Sequence, residues 1–240
     1  FVDLGFGKKR LGASILSQIY DQIGDDCPDF ENITNFKYQF NTIQKLIKSN
    51  KIISGHDRSD GGLITTLLEM SFAGNKGFNL DITNEATYLE YFFNEELGII
   101  LEVPIAYTDY VVNKLSQSTP VTIIGSVTED DNVSIKFNNE EILNTKMTIL
   151  RNSWEKNSFN FEKHNIPDGL ALAENKLYSM FNSPSYYIPD SIYTLINEKI
   201  VDCIPRVFKV AILREEGSNG DKEMAAAFSS AGFQVWDVNT

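Results

Sequence analysis

The sequence predicts an α/β protein, and three observations predict it. Ile52 and Ile53 read as a short buried strand that runs into a polar loop. Leu63 to Phe72 then puts Leu63, Leu67, Met70 and either Ile64 or Leu68 on one helical face. Phe78, Leu80 and Ile82 alternate as strand residues do, and Ile99 to Val103 is a continuous apolar strand. Lys209 to Val238 spells strand, helix and strand within ~30 residues, the opening βαβ of a doubly wound sheet.

Taken in order, Val2 to Gly12 is a strand end followed by a glycine-rich basic loop, and Ala13 to Ile23 is a helix with Ile15, Leu16, Ile19, Tyr20 and Ile23 on one face. Gly24 and the acidic, proline-bearing stretch after it stop that helix. Phe36, Phe40, Ile43 and Ile47 recur at helical spacing, which gives a second helix from about Asn35 to Asn50. After the central strand, loop and helix comes the strand Gly77–Ile82. Pro104 suits a helix N-terminus, and Ile105, Val111, Val112 and Leu115 continue that helix. Val121–Val127 and Val133–Phe137 are strands joined by the acidic turn Glu129–Asn132, and Met147 opens a helix reaching about His164, with Ile149, Leu150 and Trp154 as core candidates.

The texture then changes. The expected organisation is a first domain over residues 1–155, a linker over 156–205 and a new domain over 206–240. Pro167, Gly169, Pro184, Pro189 and Pro205 punctuate the linker. Its Tyr178, Phe181, Tyr186 and Tyr187 suit a segment draped over neighbouring domains better than a free tether. The chain opens without Met and stops soon after a strand, so a piece of a longer protein is expected.

Composition bounds the function. Hydrophobic residues make up 42% of the 240, with 16 Phe and 10 Tyr, so a packed core is expected. Lys and Arg number 21 against 33 Asp and Glu, a net charge of −12, which argues against nucleic acid as the main partner. An anionic ligand therefore needs a local site. Lys8, Lys9 and Arg10 are the one basic cluster near the start, read equally as such a site or as a solvated loop. Cys27 and Cys203 lie far apart in dissimilar contexts, which is neither a disulfide framework nor a zinc pattern and fits a reducing, cytoplasmic setting. No apolar run approaches transmembrane length and no targeting segment is visible, so no membrane partner is expected.

The chemistry concentrates in Ser54-Gly-His-Asp-Arg-Ser-Asp-Gly-Gly-Leu63. Ser59 and Asp60 are good N-cap residues, and the helix they open presents backbone N–H groups suited to phosphate. Gly61 and Gly62 admit a close approach to the backbone. Asp57, just upstream, suits Mg²⁺, because hard cations take carboxylate oxygens. His56 is either a structural imidazole or a base. Arg58 pairs either with a nearby carboxylate or with a phosphate. The same letters also spell an ordinary strand-to-helix turn, but five polar functional side chains in a row between apolar elements speak for a site. Glu95 and Glu96, beside the strand Ile99–Val103, belong either to an exposed turn or to a site for a metal, a ligand amine or a ribose hydroxyl.

Three motifs occur in order: His56-Asp-Arg-Ser-Asp-Gly-Gly-Leu63, Phe93-Asn-Glu-Glu-Leu-Gly98, and Arg214-Glu-Glu-Gly-Ser-Asn-Gly-Asp221 with Glu223-Met-Ala-Ala-Ala-Phe228. The set resembles the large, single-chain phosphoribosylformylglycinamidine synthases, also called formylglycinamide ribonucleotide amidotransferases. The resemblance implies an ATP-dependent ligase of purine biosynthesis that turns formylglycinamide ribonucleotide, glutamine and ATP into formylglycinamidine ribonucleotide, ADP, phosphate and glutamate. It implies that the first domain is the second copy of an aminoimidazole ribonucleotide synthetase-type carboxyl-terminal domain, a mixed sheet with helices. It likewise implies that the last residues open a flavodoxin-like class I glutaminase domain. Carried over, Asp57 holds Mg²⁺ and Ser59 contacts the nucleotide, with His56, Asp60, Glu95 and Glu96 as further candidates. The nucleotide is ATP, or ADP at an auxiliary site that holds the larger enzyme together. The glutaminase Cys, His and Glu are expected beyond Thr240, and the fragment by itself is expected to be inactive.

Overall fold

The computed structural model describes residues 1–24, 26–180, 187, 189 and 208–239. They divide between two compact units, Phe1–Phe181 and Asn182–Thr240.

The first unit is α/β, as the sequence predicts, and contains two sheets. In the smaller, β1 (Val2–Asp3), β4 (Gly98–Glu102) and β2 (Ser54–Asp57) pair antiparallel in the order β1-β4-β2. β4 is the central strand and reads as a continuous apolar run because both its faces are covered. Ile100 packs with Leu63 and Leu67 of α3 (Gly62–Gly74). Ile99 and Leu101 pack on the other side, with Ile43 and Leu46 of α2 (Ile33–Lys48) and Val111 and Leu115 of α5 (Thr108–Leu115). Ahead of α2 lies the short helix α1 (Ile15–Ile19).

The second sheet is mixed, in the order β5-β3-β6-β7. β3 (Phe78–Ile82) pairs antiparallel with β5 (Gly125–Val127) and parallel with β6 (Asn132–Phe137), and β7 (Glu140–Lys146) is antiparallel to β6. The alternation of Phe78, Leu80 and Ile82 sends all three into the core, where Val133, Ile135 and Phe137 of β6 and Tyr91 and Phe92 of α4 (Tyr88–Phe93) meet them. Residues from the two sheets therefore share one core through α3. Helix α6 (Met147–Glu162) buries Met147, and α7 (Asp168–Met180) buries Ala171.

Several expectations need correction. The helix expected over Ala13–Ile23 covers only five residues, with Ile19 and Ile23 exposed, because Asp21 takes a left-handed φ of 53° and ends it. The strand expected at Ile52–Ile53 lies instead at Ser54–Asp57. There the ladder to β4 fixes the register, and an edge position tolerates polar side chains. Pro104 precedes one 3₁₀ turn, Ile105–Tyr107, before α5 begins. Ile149 and Trp154 are exposed rather than core residues, while Leu150 does pack on the core. The stretch expected as a linker contains α7. Phe181, Tyr186 and Cys203 lie outside the described residues, as does the side chain of Tyr178, and Tyr187 is exposed.

The second unit matches its expected elements closely. β8 (Lys209–Arg214) and β9 (Gln234–Asn239) are parallel neighbours joined by α8 (Asp221–Ser230). Neither strand is buried. Leu213 and Trp236 are exposed, as expected of a single βαβ unit, which has too few elements to cover both faces.

Candidate functional site

β2 carries the polar motif to the edge of the smaller sheet, and the chain turns through Arg58–Gly61 into α3. Asp57 ends the strand with its side chain 75% exposed. Ser59 Oγ donates a short hydrogen bond to Asp57 Oδ2. That bond, with help from the backbone and His56, holds the Asp57 carboxyl below its usual range, so it is ionised at neutral pH. His56 is half-buried beside it. Its Nδ1 lies 2.8 Å from the Asp57 carbonyl oxygen and 3.4 Å from Asp57 Oδ1, and its Nε2 lies 3.0 Å from Glu69 Oε2 on α3. Thr66, also on α3, donates its hydroxyl to the same Asp57 carbonyl at 3.3 Å.

The helix start departs from the sequence expectation. Neither Ser59 nor Asp60 is the N-cap; that position is Gly61, at φ 81°, without a side-chain cap. Ser59 is occupied with Asp57, and Asp60 is exposed in the turn. The first backbone donors are used internally. Gly61 N–H donates to Glu95 Oε1 at 2.8 Å, and Gly62 N–H donates to the Ser59 carbonyl at 2.9 Å. A side chain at Gly62 would run into the backbone of Phe92–Asn94, so the space there belongs to the protein rather than to a phosphate.

The two adjacent glutamates part company. Glu95 Oε1 also accepts from Ile15 N–H at 2.9 Å, so one carboxylate meets the starts of α1 and α3, where helix dipoles favour negative charge. Glu96 has no exposed side-chain surface and accepts three hydrogen bonds from Arg10, from its backbone N–H, Nε and Nη2, at 3.1, 2.5 and 2.8 Å. It is a structural partner of Arg10 rather than a ligand-facing group. Arg58 is equally internal. Its guanidinium donates to the carbonyls of Glu96 and Leu97, lies 3.5 Å from Asp3 and stacks 4.9 Å from the Phe1 ring, and burial lowers its pKa. Lys8 pairs with Glu31, and Lys9 donates to the Gly7 carbonyl, so internal partners meet the basic cluster as well.

The structure thus brings together His56, Asp57 and Ser59 at the surface, turns Glu96 and Arg58 inward, and adds Glu69 and Thr66, which the sequence reading did not single out. Both lie on α3, where the three- and four-residue helical spacings from Gly62 and Leu63 mark the face turned to β2.

Residues 4–138 match the family described as AIR synthase related protein, C-terminal domain, which is more than half of the chain. The chain belongs to this AIR synthase-related family. Residues 207–240 match the CobB/CobQ-like glutamine amidotransferase domain. Among curated relatives, a probable phosphoribosylformylglycinamidine synthase, chloroplastic/mitochondrial, of Arabidopsis thaliana is 43% identical over 99% of this chain and 17% of its own length. A phosphoribosylformylglycinamidine synthase of Dictyostelium discoideum is 34% identical over 99% of this chain and 19% of its own. The chain therefore spans under a fifth of the length of these relatives. Among solved structures, T. maritima PurL complexed with ATP aligns over 47% of this chain and 21% of its own, at 11% identity and a TM-score of 0.44. In this AIR synthase-related chain, Asp57 and Ser59 lie within the matched residues, and no described helix is long and apolar enough to cross a membrane.

Proposed function

We propose that this chain is part of a phosphoribosylformylglycinamidine synthase, the ATP-dependent ligase that converts formylglycinamide ribonucleotide, glutamine and ATP to formylglycinamidine ribonucleotide, ADP, phosphate and glutamate. The observation that carries the reading is the alignment of 99% of this chain with relatives of that name, with a synthetase-type match followed by a glutamine amidotransferase match along one chain. Residues 1–155 are the synthetase carboxyl-terminal domain, 156–205 connect it onward, and 206–240 begin the glutaminase domain. A cytoplasmic setting belongs to the same proposal and rests on the cysteine pattern.

Asp57 is the metal ligand and Ser59 the nucleotide contact in this reading. The residues present fit Mg²⁺ rather than a cation that needs a full protein cage. Asp57 offers an exposed, ionised carboxylate, and among the described residues no three His, Cys, Asp or Glu side chains converge. Mg²⁺ is commonly held by one or two carboxylates, with water and substrate phosphates completing its shell. When bound, it neutralises phosphate charge. Asp57 would supply the oxygen that anchors it, and the Ser59 hydroxyl, now turned to Asp57 Oδ2, would contact the nucleotide.

The test is Asp57→Asn in the whole protein. Mg²⁺-dependent nucleotide affinity should fall at least about tenfold, since even residues behind a metal ligand cost that much. Loss of amidine formation with an unchanged melting temperature assigns the site to catalysis. Intact turnover with a lowered melting temperature of the nucleotide-bound protein assigns it to an auxiliary, scaffolding nucleotide. Unchanged affinity removes Asp57 from the proposal.

A further inference from the structure

We infer that Glu69 is a positioning residue for Asp57, acting through the His56 ring; the inference rests on the proposed role of Asp57 as metal ligand. The ring lies between α3 and the end of β2. Nε2 meets Glu69 Oε2 at 3.0 Å, about two turns into α3, and Nδ1 meets the Asp57 carbonyl at 2.8 Å and its carboxylate at 3.4 Å. The Glu69 carboxylate is an acceptor, so the ring turns its Nε2–H toward it. Glu69 therefore fixes ring orientation, and the ring fixes the strand-terminal residue that it faces.

Thr66 strengthens the arrangement from the same helix. It is 2% exposed, and its hydroxyl donates to the Asp57 carbonyl at 3.3 Å and shares the Gly62 carbonyl at 3.1 Å. The backbone of Asp57 is thus tied to α3 from two directions, while its carboxylate stays 75% exposed. Such a group is set in place from behind and open in front. Glu69 itself is half-buried and makes no other side-chain hydrogen bond or ion pair among the described residues, so the His56 contact is its distinguishing one. Removing a carboxylate that orients a metal-ligating imidazole typically costs about 10–100-fold in metal affinity, and Glu69, which acts one residue further from the metal through His56, belongs at the low end of that range.

The experiment compares Glu69→Ala, Glu69→Gln and Asp57→Asn in the whole protein, reading Mn²⁺-ADP affinity from the electron paramagnetic resonance of bound Mn²⁺ and melting temperature without nucleotide. Asp57→Asn identifies the part of the binding that belongs to this site. If Asp57→Asn binds as wild type does, the functional reading falls and this inference with it. With that control in place, Glu69→Ala should weaken the Asp57-dependent binding about tenfold and leave the nucleotide-free melting temperature within a degree or so. Glu69→Gln, whose amide oxygen still accepts from Nε2–H, should restore affinity to within about threefold of wild type. Unchanged affinity in Glu69→Ala overturns the inference. So does an equal loss in Glu69→Gln, which would make the effect one of charge rather than orientation, or a loss that only follows a lowered melting temperature.

Discussion

Replacing Arg10 with Met is expected to destabilise the first unit by about 3–5 kcal/mol, because Glu96 would stay buried after losing the guanidinium, its countercharge and two of the three hydrogen bonds it accepts from Arg10. Glu96 has no exposed side-chain surface, and Arg10 supplies three of its hydrogen bonds. The reverse view of the pair agrees. The hydrogen bond to Glu96, then the charges of Glu96 and Glu31, raise the Arg10 pKa against the effect of burial. Urea unfolding of the whole protein, followed through this unit's transition, reads the loss. The double variant Arg10→Met with Glu96→Leu separates causes, since exchanging both members of a buried pair for apolar groups is often close to neutral. If the single change is as mild as the double, the pair is not what holds the basic loop to the glutamate turn.

Gly62→Ala carries the second large effect. Gly62 sits at φ 73°, and an added Cβ would lie 2.6 Å from the Phe92 carbonyl oxygen and 2.7 Å from that of Asn94. A left-handed backbone costs an L-residue about 1–3 kcal/mol, and forcing an atom into packed backbone costs about 1–3 more. The expected total is roughly 2–6 kcal/mol, read as a fall in the unfolding midpoint. Gly61 provides the comparison. Its φ is 81°, but the nearest obstacle is Thr65 Oγ1, at the end of a side chain that can rotate. Gly61→Ala should therefore cost about 1–3 kcal/mol, and an equal cost at both positions would refute the close-approach explanation.

The sequence makes α3, β3 and β4 legible because their apolar spacing coincides with what they bury: Leu63 and Leu67 from α3, alternate residues of β3, and both faces of β4. It misplaces the strand before the motif because an edge strand needs no apolar pattern, only a neighbour with free ladder groups. That neighbour, β4, lies more than forty residues downstream. Two missed elements did leave local signals. Thr87 and Glu90 form a capping box that starts α4, and Asn138 and Asn139, both at positive φ, form the tight turn that joins β6 to β7. Ile19 and Ile23 misled in the other direction: their helical spacing is real, but the chain bends at Asp21 and leaves them in solvent.

At the site, residue type showed where polar groups gather but not which way each one points. Glu95 and Glu96 are adjacent and chemically alike, yet one meets two helix starts and the other is shut in with Arg10. Arg58 and Asp57 are sequence neighbours, yet the carbonyls of Glu96 and Leu97 draw the first inward as the chain leaves β2, while the second stays 75% exposed at the strand end. The contribution of Glu69 was hidden because it depends on how α3 lies against β2, which only tertiary structure fixes.

The pairing of β1 with β4 also sets a timetable for synthesis. Val2 lies opposite Ile99, roughly 100 residues later. At a ribosomal rate of about 5–20 residues per second, the opening strand waits on the order of 5–20 s before its neighbour exists. During that interval β1 lacks the strand it pairs with in the finished unit. Nascent chains held up between these two points should be the ones that chaperones grip most firmly.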